Sequence, residues 1–306
     1  VYRLIDIRPD NFRDAYATAV LVGLVGTWAY HRIRTRREQE LLRYERQPRV
    51  QPQPHGSPTP IYEYDPEASG ATFWSVLKND HFYRRYMTAQ FIGGGANMMG
   101  ETIIVPLVAA LTVNMAHEYT ISIALTTTVP MVLAIVTLPM WARQLDRMHI
   151  AHFRAGQSWM WIVDQSTNWL AALVGLQLGM PVLALCMIAA ARVLQGIVRG
   201  GGMLAWNLGH NDFASRKLVS LYMGIHMTLT GVRGAIFPFL GLMLYAGWSS
   251  DVLAWAGLRL PAFGGMGAHV FLITVAMTIV GNLTYASLSR SVRARDQQAL
   301  AAQRAS

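Results

Sequence analysis

Long apolar runs alternate with short, arginine-rich polar segments along the whole chain. The first run, Ala15 to Tyr30, is short but sufficient for a span with its flanks. Three arginines and three aspartates precede it and no small-residue cleavage site follows, which favours a span over a signal peptide. Six further runs lie near Tyr86–Val113, Thr120–Ala142, Gly156–Leu178, Val182–Trp206, Val219–Ala246 and Gly267–Leu288. Each reaches the ~20 residues that an α-helix needs to cross a bilayer. The connections Asn114–Tyr119, Gly179–Pro181 and Gly209–Lys217 are short, which makes neighbouring helices antiparallel.

Between the first run and the other six, residues 32–82 are rich in Arg, Gln, Pro and Glu. The stretch Gln47 to Pro54 excludes a helix interior, because proline fixes φ and removes a donor. This segment reads as a linker, ending in a short helix over Ala71 to Asp80 that leads into the bundle. The predicted fold is all-α and polytopic. Residues 1–31 carry one transmembrane helix, 32–82 form a cytoplasmic linker, 83–290 a six-helix bundle and 291–306 a cytoplasmic tail. The chain begins with Val1, which fits an alternative start or a longer parent chain.

Composition agrees with that pattern. Of 306 residues, 53% are hydrophobic and 14% charged, against about 25% charged in soluble domains. The net charge of +9 is carried mostly by arginines between the apolar runs. Nineteen Lys and Arg fall on one side of the predicted membrane and four on the other, with Arg192, Arg199 and Arg233 inside spans. The positive-inside rule then puts the linker, the middle loops and the C-terminus in the cytoplasm, in a bacterial inner membrane. Topology accounts for the charge, and no nucleic-acid face is inferred. A single cysteine, Cys186, excludes a disulfide framework and a cysteine metal site.

Charged groups inside a bilayer cost on the order of 3 kcal/mol each and persist where they face a bundle interior or a watery cavity. Gln90, Asn97 and Glu101 share one face of the first bundle helix, around Gly93-Gly94-Gly95. Arg192, Gln195 and Arg199 share a face of the fourth, followed by Gly200-Gly201-Gly202 and Asn207. His226, Thr230 and Arg233 align on the fifth, and Asp164 and Asn168 on the third. The first and fourth helices echo one another in opposite directions, as inverted repeats of a transporter do. Their glycines serve either as breaks beside a solute path or as close helix contacts. Glu101, Arg192 and Arg199 are read as functional, and Asp164 and Arg233 as partners in a structural ion pair.

Other chemistry is sparse. Gly93 to Gly100 has no strand before it, which excludes a nucleotide loop. His149 and His152 lack a third metal ligand and read as loop histidines. His210 and Asp212 read as helix caps. Trp141, Trp206, Trp248 and Trp255 fall near span ends, where aromatic belts sit. No nucleophile–base pair is present, so the chain is not read as an enzyme, and no cofactor or metal is expected.

The whole pattern resembles the major facilitator superfamily, whose members join two six-helix halves by a long cytoplasmic loop. The bundle and linker resemble the second half, and the span at Ala15–Tyr30 the last helix of the first. The loop after the second bundle helix, Ala142-Arg143-Gln144-Leu145-Asp146-Arg147, is similar to the family's G-x-x-x-D-R-x-G-R signature. Asp146 and Arg147 match, while Ala142, His149 and Ile150 depart from it. Gly231, Gly234, Pro238 and Gly241 resemble the family's glycine–proline motif with different spacing. The resemblance implies a cavity lined by the first and fourth helices, hence by Gln90, Asn97, Glu101, Arg192, Gln195 and Arg199. It also implies a cytoplasmic gate at Asp146 and Arg147. The expected activity is secondary transport of a small solute by alternating access, with Glu101 as the titrating group if protons are coupled. About five helices of a full transporter are absent. The expected partners are therefore lipid and solute, together with a missing N-terminal half, a second copy or a larger membrane complex. In the last case the chain is a transporter-derived scaffold subunit.

Overall fold

A computed structural model describes residues 71–113, 115–215, 218–250 and 261–305. The expected span at Ala15–Tyr30, most of the linker, Trp255 and Arg259 lie outside the described residues. By its internal contacts the chain divides in two. The described part of the smaller unit is residues 116–120, and all other described residues belong to the larger.

The described residues are almost entirely helical. A short α1, Phe73–Asn79, is capped by Thr72, whose hydroxyl accepts from the Ser75 N–H. Asp80 then stops α1 and caps α2, His81–Thr112, by accepting from the Tyr83 N–H at 2.7 Å. Next come α3, Glu118–Ile123, a π-helical turn at Ala124–Thr128, and α4, Val129–Leu145. They are followed by α5, Ile150–Leu176, α6, Pro181–Leu208, and a 3-10 turn at Gly209–Asp212. The last two long helices are α7, Val219–Ala246, and α8, Val270–Ala305. The second expected span is thus interrupted by a π-turn. The last helix runs on through the expected tail.

Among the described residues, five segments are long and apolar enough to cross a membrane: His81–Thr112, Glu118–Leu145, Pro181–Asp212, Val219–Ala246 and Gly267–Gln298. The chain is an integral membrane protein. The helix α5 has the length of a span but carries Arg154, Gln157, Asp164, Gln165 and Asn168. It affords them because it is held inside the bundle, between α6 and α8.

The long helices pack in the order α7, α2, α8, α5, α6, α4. The two at the ends of this row keep apolar faces uncovered. Val136 on α4 is 67% exposed and Phe239 on α7 is 62% exposed, as expected of surfaces that meet lipid or another protein.

Two apolar clusters occupy opposite ends of the bundle. One gathers Val76, Tyr83, Tyr86, Phe153, Phe213, Tyr222 and Tyr285. The other gathers Met99, Ile103, Leu107, Ala172, Ile188 and Phe271. Between them, α2, α5, α6, α7 and α8 carry polar side chains, and this middle layer, which reaches into the first cluster at Tyr285, holds an ion-pair network and a cavity.

Candidate functional site

One half of the middle layer is an ion-pair network. The Arg192 guanidinium on α6 donates to Glu101 Oε1 on α2 at 3.1 Å and to Asp164 Oδ1 on α5 at 3.3 Å. Arg192 and Asp164 are sealed, with side chains 1% exposed, whereas Glu101 keeps 27% of its side chain accessible. Gln195, one helical turn from Arg192, donates to the same Glu101 oxygen. On the far side, Gln165 Nε2 donates to Asp164 Oδ2 at 3.3 Å, and the Thr274 hydroxyl donates to Gln165 Oε1 at 2.9 Å. A single cation therefore serves two carboxylates, and three helices are tied together through it.

This geometry overturns the expected ion pair between Asp164 and Arg233. Asp164 is taken by Arg192, while Arg233 on α7 donates to the backbone carbonyl of Gln90 at 2.6 Å. Sequence spacing fixes the face of a helix but not which neighbour that face meets.

The other half of the layer is a cavity of about 330 Å³. Three arginines line it: Arg154 from α5, Arg199 from α6 and Arg233 from α7. Arg154 donates to Gln157 Oε1 at 2.8 Å and to the Tyr285 hydroxyl at 3.2 Å, and lies 5.0 Å from the Tyr285 ring centroid. Tyr285 in turn donates to Gln90 Oε1 at 3.3 Å. Asn97, Asn207 and Asn282 supply amides to the wall, and Trp161 and Trp206 supply flat apolar surfaces. Among the described residues no Asp or Glu lines it.

The six pathway residues expected from sequence divide between these two places. Gln90, Asn97 and Arg199 line the cavity, and Glu101, Arg192 and Gln195 belong to the ion-pair network. Asp146 and Arg147 are exposed where α4 ends, their amides closing the turn onto Ala142 and Gln144. Arg154, expected in a cytoplasmic loop, lies inside α5 and faces the cavity, so one of the nineteen cations counted for topology does another job.

The glycine triplets are not breaks, because α2 and α6 run through them uninterrupted. They allow close approach. A Cβ on Gly94 would collide with the Arg233 guanidinium, on Gly95 with the Phe237 ring, and on Gly201 with Gln157 and Trp141. On α8, Gly281 faces the Gly93 backbone, which brings α8 against α2 beside the cavity. Two tryptophans expected in membrane belts are internal. Trp141 donates from Nε1 to the Ile197 carbonyl at 2.6 Å, and Trp206 lines the cavity with its ring 5.0 Å from that of His226.

The capping expectations fare differently. Asp212 does cap a helix: its Oδ2 accepts from the Ile150 N–H at 2.6 Å, at the start of α5. His149 caps the same helix, Nδ1 accepting from the Ala151 N–H at 3.0 Å. His152 meets the Ser289 hydroxyl at 2.6 Å. Among the described residues no cluster of three His, Cys, Asp or Glu could hold a metal ion.

The largest omission of the sequence reading is α8. Thr274, Thr278, Gly281, Asn282 and Tyr285 recur at three- and four-residue spacing and form its inward face. The same periodicity marks Arg154, Gln157, Ser158 and Trp161 on α5. Both stripes were available as signals, but neither contains a conspicuous charge in mid-span. Compared with family models, curated proteins and solved structures, the chain has no match in any of the three.

Proposed function

We propose that this chain is a secondary transporter, or the C-terminal half of one, that moves a small solute across a bacterial inner membrane by alternating access. The single observation that carries the reading is the arginine- and amide-lined cavity enclosed largely by helices long and apolar enough to cross a membrane. Such a site is costly in a bundle whose only task is to pack, and secondary transporters bind their solute between helix repeats. The fold reading that goes with it is a six-span half of a major facilitator, in which α5 is the sixth span. The asymmetry of Lys and Arg supports a cytoplasmic linker and C-terminus.

The ion-pair network is the coupling element in this proposal. One cation is shared by two carboxylates, and Glu101, the accessible one of the two, is in this proposal the group through which a driving ion is coupled. Solute flux into proteoliposomes holding the full 306-residue chain tests the proposal. Flux that Glu101→Gln uncouples from a proton gradient and Arg192→Ala abolishes supports it. Flux indifferent to both changes removes the assigned roles, and no flux of any solute defeats transport by this chain alone.

The uncovered faces of α4 and α7 favour a second reading, a scaffold subunit of a larger membrane complex. Purification in mild detergent separates the two. A fixed heteromeric complex supports the scaffold, and a monomer or symmetric dimer supports transport.

A further inference from the structure

The charges of the middle layer are distributed very unevenly. Its two carboxylates, Glu101 and Asp164, are both committed to Arg192. Among the described residues, the cavity beside them receives three guanidiniums and no acid. What those arginines touch is neutral: a glutamine oxygen and a phenol for Arg154, and a backbone carbonyl for Arg233. The Nε–H groups of Arg154 and Arg233 are buried with no acceptor. Among the described residues, Arg199 has no hydrogen-bond or ion-pair partner. Three cations facing one small volume repel one another; Arg233 is buried and Arg154 and Arg199 are half-buried, and among the described residues no carboxylate there offsets them. Among the described residues nothing supplies that charge, and the group that fits such a volume is an anion.

We propose that the cavity binds a small organic or inorganic oxyanion carrying at least two negative charges, such as a dicarboxylate or a phosphate. The inference names the solute class of the proposed transporter and rests on that reading for its biological use, although binding itself is measurable without flux. Guanidinium groups suit oxyanions because their planar donors pair with two oxygens at once. A volume near 330 Å³ equals roughly ten water molecules, which admits a solute of several heavy atoms and excludes a large one. The amides of Asn97 and Asn282 can take further oxygens, and Trp161 and Trp206 can cover a short carbon skeleton. Glycine at 202 keeps the space open: a Cβ there would have its nearest neighbours at 3.8 and 4.0 Å, so a larger side chain would extend into the cavity without disturbing the helix contacts.

Isothermal titration calorimetry on the purified full chain in detergent tests this. The probes are succinate and inorganic phosphate, with uncharged succinamide and dicationic putrescine as controls. Saturable binding of at least one dianion is expected, with neither control binding. Arg199→Gln should weaken it at least tenfold, Arg199→Lys should restore most of it, and Gly202→Leu should abolish it while the protein stays monodisperse and helical. Silence from both dianions, binding of a control instead, or an Arg199→Gln variant that binds as well as the parent overturns the inference. Dianion binding without flux defeats the transport reading alone, and flux of a neutral solute without dianion binding defeats this inference alone.

Discussion

Arg233 reaches the Gln90 carbonyl by passing over Gly94, where any side chain would occupy the space of the guanidinium. The pair couples α7 to α2 at the cavity wall, and a missing methyl group holds it in place. Gly94→Ala should therefore displace Arg233 while leaving α2 helical. A cost of about 1–3 kcal/mol is expected from overpacking. Thermal unfolding in detergent measures that cost, and calorimetry with succinate should show weaker binding in the same variant.

Among the described residues Arg192 is the only cation of its network, so removing it leaves Glu101 and Asp164 without compensation. Arg192→Leu should destabilise the fold by roughly 3–5 kcal/mol, the usual cost of breaking a buried pair from one side. Adding Asp164→Asn to that variant removes one of the stranded charges and should recover part of the loss. A double variant no more stable than the single one would mean that the two carboxylates do not share Arg192 energetically.

The cap at the start of α5 gives a pH dependence. Burial, aided by the nearby positive potential of His152 and opposed by Asp296, pushes the His149 imidazole down to about 4, from about 6.5 in an unfolded chain. The folded state thus binds fewer protons than the unfolded state between those values, so stability rises with pH across that window and is lost as pH falls through it. The contribution lost between pH 8 and pH 5 is about 2 kcal/mol. Protonation at Nδ1 also ends acceptance from the Ala151 N–H. His149→Asn keeps a capping oxygen but does not titrate, and its unfolding temperature should be flatter between pH 8 and pH 5 than that of the parent.

The long apolar runs made the helices legible, because hydropathy needs only local sequence. Identifying which polar groups meet requires knowing which faces meet, and periodicity carries no such information. Gln90, Asn97 and Arg199 were singled out by their cost in lipid, and all three reach the cavity. Arg233 was singled out for the same reason but paired with the wrong partner, since its carbonyl acceptor at Gln90 leaves no trace in side-chain chemistry. Arg154 escaped because it lies in the first turns of α5, where an arginine looks like a loop charge. The α8 face escaped because threonine, glycine and asparagine are cheap in a span and attract no notice. The triple glycines were visible, but whether they break or pack a helix depends on Arg233, Phe237 and Trp141 on other helices.

Thiol labelling in liposomes tests most directly whether the arginine-lined cavity is an aqueous, positively charged chamber inside the membrane bundle. In a Cys186→Ser background, Asn97→Cys would place a thiol on the cavity wall and Ile135→Cys one on the uncovered face of α4. Anionic sulfonatoethyl methanethiosulfonate should modify Asn97→Cys several-fold faster than the cationic trimethylammonium reagent, and succinate or phosphate should protect it, while Ile135→Cys resists both. Equal rates with the two reagents, or Ile135→Cys labelled in preference to Asn97→Cys, would contradict the account.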